Sequence, residues 1–149
     1  MSLVVSDVAR LPLPDVFHCS VSVKFGRALG KSRTSVGEAV LFSMRPIDTF
    51  NIMTATVLDI VDNMVATQHS TPNRDKLQWG PHVPFDVYTK VAINAPQSKY
   101  VRLSVDNFND TIARIWDNAG KTRLGQAAFV LQLFVYIEKH VEIGIRRAT

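Results

Sequence analysis

Residues 17–25 alternate without a break. Phe17, Cys19, Val21, Val23 and Phe25 are interleaved with His18, Ser20, Ser22 and Lys24. A period of two puts the first set on one face of a β-strand and the second on the other. A half-buried strand needs strand neighbours and an apolar layer over one face. The chain has 149 residues, of which 46% are hydrophobic and 20% charged. That suits one compact domain, residues 1–149, with a core of its own, and argues against intrinsic disorder. Cys19 is the one cysteine. No intrachain disulfide or multi-cysteine metal site can therefore form, and a reducing compartment is expected. Its place in the apolar set predicts a buried small hydrophobe rather than a nucleophile.

The rest of the chain reads as follows. Pro12 and Pro14 make residues 1–15 an extended N-terminal segment. Gly26–Thr34 is a glycine-bracketed basic loop, and Val36–Met44 is a returning strand or a short helix. Residues 49–66 predict a strand running into a helix, because Ile52, Thr54 and Thr56 favour the first while Val57, Ile60, Val61 and Met64 favour the second. Residues 67–84 form a long polar loop. Phe85, Val87, Thr89, Val91 and Ile93 share one strand face, and Tyr100–Val105 is the partner strand of a hairpin. Thr111–Trp116 reads as a short strand closed by a turn at Asp117–Gly120. Residues 122–138 read as a helix, with Leu124, Ala127, Ala128, Leu131, Phe134, Val135 and Glu138 at helical spacing, although FVLQLFVYI would also serve as a strand. Val141, Ile143 and Ile145 give a final strand. The expected fold class is mostly β or α+β: an antiparallel sheet or sandwich of about six or seven strands with one or two helices.

Candidate chemistry is sparse. Gly26-Arg27-Ala28-Leu29-Gly30-Lys31-Ser32 imitates a phosphate loop but has three residues, not four, between its first glycine and Gly-Lys. Val57-Leu58-Asp59 imitates a magnesium-binding strand. His18, His69, His82 and His140 have no ligand-like spacing, so no metal site is expected. Glu38, Glu142 and the Asp59/Asp62 pair are acids among apolar neighbours, but spacing promotes none of them to an acid–base pair. No catalytic residue, cofactor or small-molecule substrate is read from the sequence, and a non-enzyme is expected.

The charge is more informative. The formal net charge is +4, and the positive residues gather at loops and ends. Arg27, Lys31 and Arg33 lie in the first loop, Lys99 and Arg102 at the hairpin, Lys121 and Arg123 after Gly120, and Arg146-Arg147 near the end. Trp79 and Tyr100 stand beside basic residues, as aromatic contacts to bases or at a membrane interface would, while Trp79 with Phe85 reads first as an anchor of the long loop to the core. Such clusters fit an extended anionic surface, whether lipid, RNA or a partner protein, better than a binding pocket. The N-terminal MSLVVSDVARLPLPD does not read as a signal peptide. The longest apolar run, Ala127–Ile137, falls well short of the ~20 residues that span a bilayer as a helix.

The stretches PDVFHCSVSVKFGRALGKSR (residues 14–33) and AAFVLQLFVYIEKHVEIGI (residues 127–145) resemble the small matrix proteins of non-segmented negative-strand RNA viruses, the bornavirus type in particular. A rhabdovirus matrix core is the second choice, on Val16–Met44 and Ile115-Trp116-Asp117. Together these stretches cover about a third of the chain, residues 49–110 do not align, and no Pro-Pro-x-Tyr motif is present. The resemblance implies a virion protein, found also in the host cytoplasm and on the inner face of a membrane. It implies homo-oligomers, contact with anionic lipid, and binding to RNA or the viral ribonucleoprotein. A small nucleic-acid-packaging coat protein, a single jelly roll, is the alternative, although residues 1–15 hold Arg10 as their one basic residue. A small enzyme with an unrecognised pocket comes third.

Overall fold

The computed structural model describes residues 13–30, 35–67, 79–80, 83–92, 94–121 and 125–138. The alternating segment is strand β1, Phe17–Phe25. Its apolar set is inside: Phe17, Cys19, Val21 and Val23 are all buried. Strand β2, Val40–Met44, returns antiparallel to it, with Phe17 opposite Met44 and Val21 opposite Val40.

Helix α1 is Phe50–Ala66. The strand expected at its start does not form. Thr49 caps the helix, its side chain accepting from the Ile52 N–H at 3.3 Å. Met53, Val57, Val61 and Met64 are its buried stripe. The β-branched residues that suggested a strand, Thr54 and Thr56, donate their hydroxyls to the Asn51 and Ile52 carbonyls instead.

Strands β3, Tyr88–Thr89, and β4, Val101–Arg102, form the expected antiparallel hairpin, though each is short. A 3-10 turn at Gln97–Lys99 precedes β4. Val87, Thr89 and Val91 are buried, as the alternation required. Thr89 is satisfied inside, its hydroxyl donating to the Gln132 carbonyl at 2.8 Å.

Two further expectations are corrected. Thr111–Trp116 is not a strand but part of helix α2, Phe108–Ala119. Phe108, Thr111, Ile112, Ile115 and Trp116 are buried along it, a period that a six-residue window cannot reveal. Of residues 122–138, read as a helix with a strand as the alternative, the described 125–138 form no α-helix. A 3-10 turn at Gly125–Ala128 leads into strand β5, Val130–Ile137. Leu131, Leu133, Val135 and Ile137 fill one face, while Phe134 is buried on the other. With Phe134 buried and Val130 and Tyr136 half-buried on the outer face, the alternation is lost apart from Gln132, and the apolar run imitates a helix.

The five strands form one sheet in the order β2-β1-β5-β3-β4. This is an α+β fold, and the described residues hold five strands in one mostly antiparallel sheet, where six or seven were expected in a sheet or a sandwich. β5 inserts beside β1 and runs parallel to it, from His18 opposite Val130 to Phe25 opposite Ile137. Its other side is antiparallel to β3. Both helices share one core with the inner face of the sheet, joined by ring contacts between Phe50 and Phe108 (5.8 Å) and between Trp116 and Phe129 (5.1 Å). Each buried apolar side chain contributes roughly 1.5–3 kcal/mol. No described helix covers the outer face, where His18, Leu41, Ser43, Arg102 and Gln132 are exposed.

Candidate anionic-partner interface

The outer face of the sheet is built by strand register. Ser22 on β1 faces Phe134 on β5, which faces Tyr88 on β3, which faces Arg102 on β4. One residue further along, Lys24 faces Tyr136. Residues paired across strands share a face, so these form two rows on the side away from the helices.

Aromatic contacts bind the rows together. Tyr88 and Tyr136 meet edge to face at 5.5 Å. Tyr100 lies over Phe134 at 4.7 Å with a 31° tilt. The Tyr136 hydroxyl donates to Gln97 Oε1 at 2.9 Å, tying the 3-10 turn to the sheet. The chain has three tyrosines, and all three are in this cluster.

The cluster changes their acidity. Burial pushes the Tyr136 hydroxyl up to about 12, with Tyr100 and Tyr88 adding to the effect. Burial also raises Tyr100. Tyr88 is raised first by burial and then by Asp86, against the opposing charge of Arg102. All three rings therefore stay neutral at ordinary pH. A cleft of about 330 Å³ lies beside them, lined by Arg27, Asp86, Tyr88, Tyr136 and Glu138 among others. It holds two tyrosines whose acidity is shifted away from neutrality, which makes them poor proton-transfer groups.

The residues expected to form the site separate into groups. Arg27 is exposed in the turn after β1, beside the tyrosines in the cleft. Gly26 opens that turn at φ +119, a conformation that favours glycine, and its N–H bonds the Ile137 carbonyl at 3.0 Å. Lys99 ends the 3-10 turn next to Tyr100 and is exposed. Arg102 is exposed in the cross-strand row. These three cations and Tyr100 thus come together around one aromatic face. Lys121 is exposed after the C-terminal end of α2, in the helical layer. Lys31, Arg33 and Arg123 lie outside the described residues, as do Arg146 and Arg147, the expected final strand, most of the 67–84 loop, and His69, His82 and His140.

Trp79 makes the contacts of the anchoring reading. Its indole N–H donates to Asp62 Oδ1 at 2.8 Å, and its ring packs on Phe85 at 5.4 Å. It anchors its segment to α1. Asp59, the aspartate of the imitated magnesium strand, is on helix α1. Cys19 is fully buried, and burial pushes its thiol up to about 12, with Asp48 adding to the effect.

Sequence reasoning missed Lys24, Tyr88, Phe134 and Tyr136. Lys24 and Tyr88 had a visible signal, since both lie on the polar parity of an alternating strand. Phe134 and Tyr136 had none once their segment read as a helix. No helix among the described residues is long and apolar enough to cross a membrane. No family model, curated protein or solved structure matches the chain.

Proposed function

We propose that this chain is a non-enzymatic assembly protein of the viral matrix type, which self-associates and contacts an anionic surface through its open sheet face. The observation that carries the reading is the gathering of all three tyrosines on the face not covered by a helix, with Arg27, Lys99 and Arg102 around them. Neutral aromatic rings flanked by cations suit stacked bases with phosphates at the margin. They also suit the headgroup region of an anionic bilayer, where tyrosine is favoured. The two stretches that resemble matrix proteins contain β1 and β5, the central pair of the sheet. Virion, host-cytoplasm and inner-membrane locations follow from the same resemblance. The jelly-roll reading loses its support, because it needs two facing sheets and the described residues form one.

The test is equilibrium binding of the intact chain to single-stranded RNA and to phosphatidylserine vesicles across a salt series, with light scattering for self-association. We expect binding to at least one of the two, falling steeply as salt rises. A chain that binds neither, or that stays monomeric at about 100 µM, contradicts the reading.

A further inference from the structure

The two edges of the sheet are protected unequally. β4 is two residues long, carries the exposed Arg102 and follows Lys99. Short, charged edges resist pairing with other chains. The opposite edge is β2, with the sequence Val40-Leu41-Phe42-Ser43-Met44. It contains no charge and no proline, and its register with β1 runs without a bulge. Among the described residues no strand pairs with its other side. Leu41, at 71% exposure, projects from the outer face opposite Ser20.

We infer that β2 is the pairing edge for a second copy of this chain, joined antiparallel about Leu41. The inference rests on the self-associating reading above and names the surface that does it. A bare strand edge offers backbone N–H and C=O groups at β spacing, which an extended strand satisfies. The outward side chains select a second β2. Directly opposed residues share a face, so pairing about Leu41 sets the two exposed leucines against each other on the outer side. It sets Val40 against Phe42 on the inner side, extending the apolar layer. Pairing about Phe42 would leave each Leu41 opposite Ser43 instead. A shift of one residue on one strand would oppose inner and outer side chains.

The geometry has a functional consequence. The two-fold axis of such a pair stands perpendicular to the sheet, so both tyrosine faces look the same way. One dimer then presents two basic, aromatic faces to one anionic surface, and the second contact is made at high effective concentration.

The test uses the intact chain in three forms. Leu41→Lys changes an exposed side chain, so the fold is retained, and circular dichroism checks this. Sedimentation velocity should show the dimer weakened at least about tenfold by charge repulsion at the edge. Leu41→Cys should be joined efficiently into dimers by a short bis-maleimide. Val105→Cys, 70% exposed just ahead of α2, should not. Cys19 is fully buried and does not compete. Association unchanged by Leu41→Lys, with no selective cross-linking at position 41, overturns the edge and leaves the assembly reading standing. A wild-type chain that is monomeric at about 100 µM overturns both.

Discussion

Tyr136 is where burial, hydrogen bonding and the candidate surface meet. Its ring packs on Tyr88, its hydroxyl holds Gln97, and its acidity is displaced from the ordinary 10.0 to about 12. The folded chain therefore keeps a proton that the unfolded chain loses above pH 10. That contribution to stability is fully present below pH 10 and disappears as pH rises from about 10 to about 12. Urea unfolding across this window should show falling stability. Tyr136→Phe should lose less over the same window, because one of the responsible ionisations is gone. At neutral pH the variant should be weaker by about 1 kcal/mol, through loss of the hydrogen bond to Gln97. Equal slopes in the two proteins would show that Tyr136 ionises freely.

Each element shows which local signals prevail. Thr49 decides that α1 begins where it does, because it satisfies the Ile52 N–H. Thr49→Ala should cost about 1 kcal/mol in chemical denaturation, and a change within error would mean that packing alone sets the helix start. β1 was legible because its alternation is complete and one face is wet. β2 was legible as one of two options, and the β3–β4 hairpin from its paired runs. β5 was legible only as the second of two options, because Phe134 is buried under Tyr100 on the face that should have been polar. α2 was hidden by cutting its pattern at Thr111, which left Phe108 out of its stripe. The site followed the elements. The hairpin yielded Lys99, Tyr100 and Arg102, while Tyr136 was lost with its strand, and Trp79 makes the anchoring contacts that its place before Phe85 allowed. No local pattern could announce that Asp62, 17 residues earlier, takes its indole N–H.

The whole molecule has two unlike sides. One is a helical layer closed over the core. The other is an open sheet face where strands distant in sequence bring Lys24, Tyr88, Arg102, Phe134 and Tyr136 into two adjoining rows. Composition gave a charge of +4 without a place for it. The topology gathers Arg27, Lys99 and Arg102 around the tyrosines and leaves Lys121 in the helical layer. Contact with an anionic surface through this face is the central claim. The most direct measurement compares the intact chain with Arg27→Ala/Lys99→Ala/Arg102→Ala, and with Lys121→Ala as a control, for binding to single-stranded RNA and phosphatidylserine vesicles over a salt series. The triple variant alters exposed side chains only, so it should fold normally. It should bind the favoured partner at least about tenfold more weakly, with a shallower dependence on salt, while Lys121→Ala stays near wild type. Unchanged affinity and salt dependence in the triple variant would contradict the account.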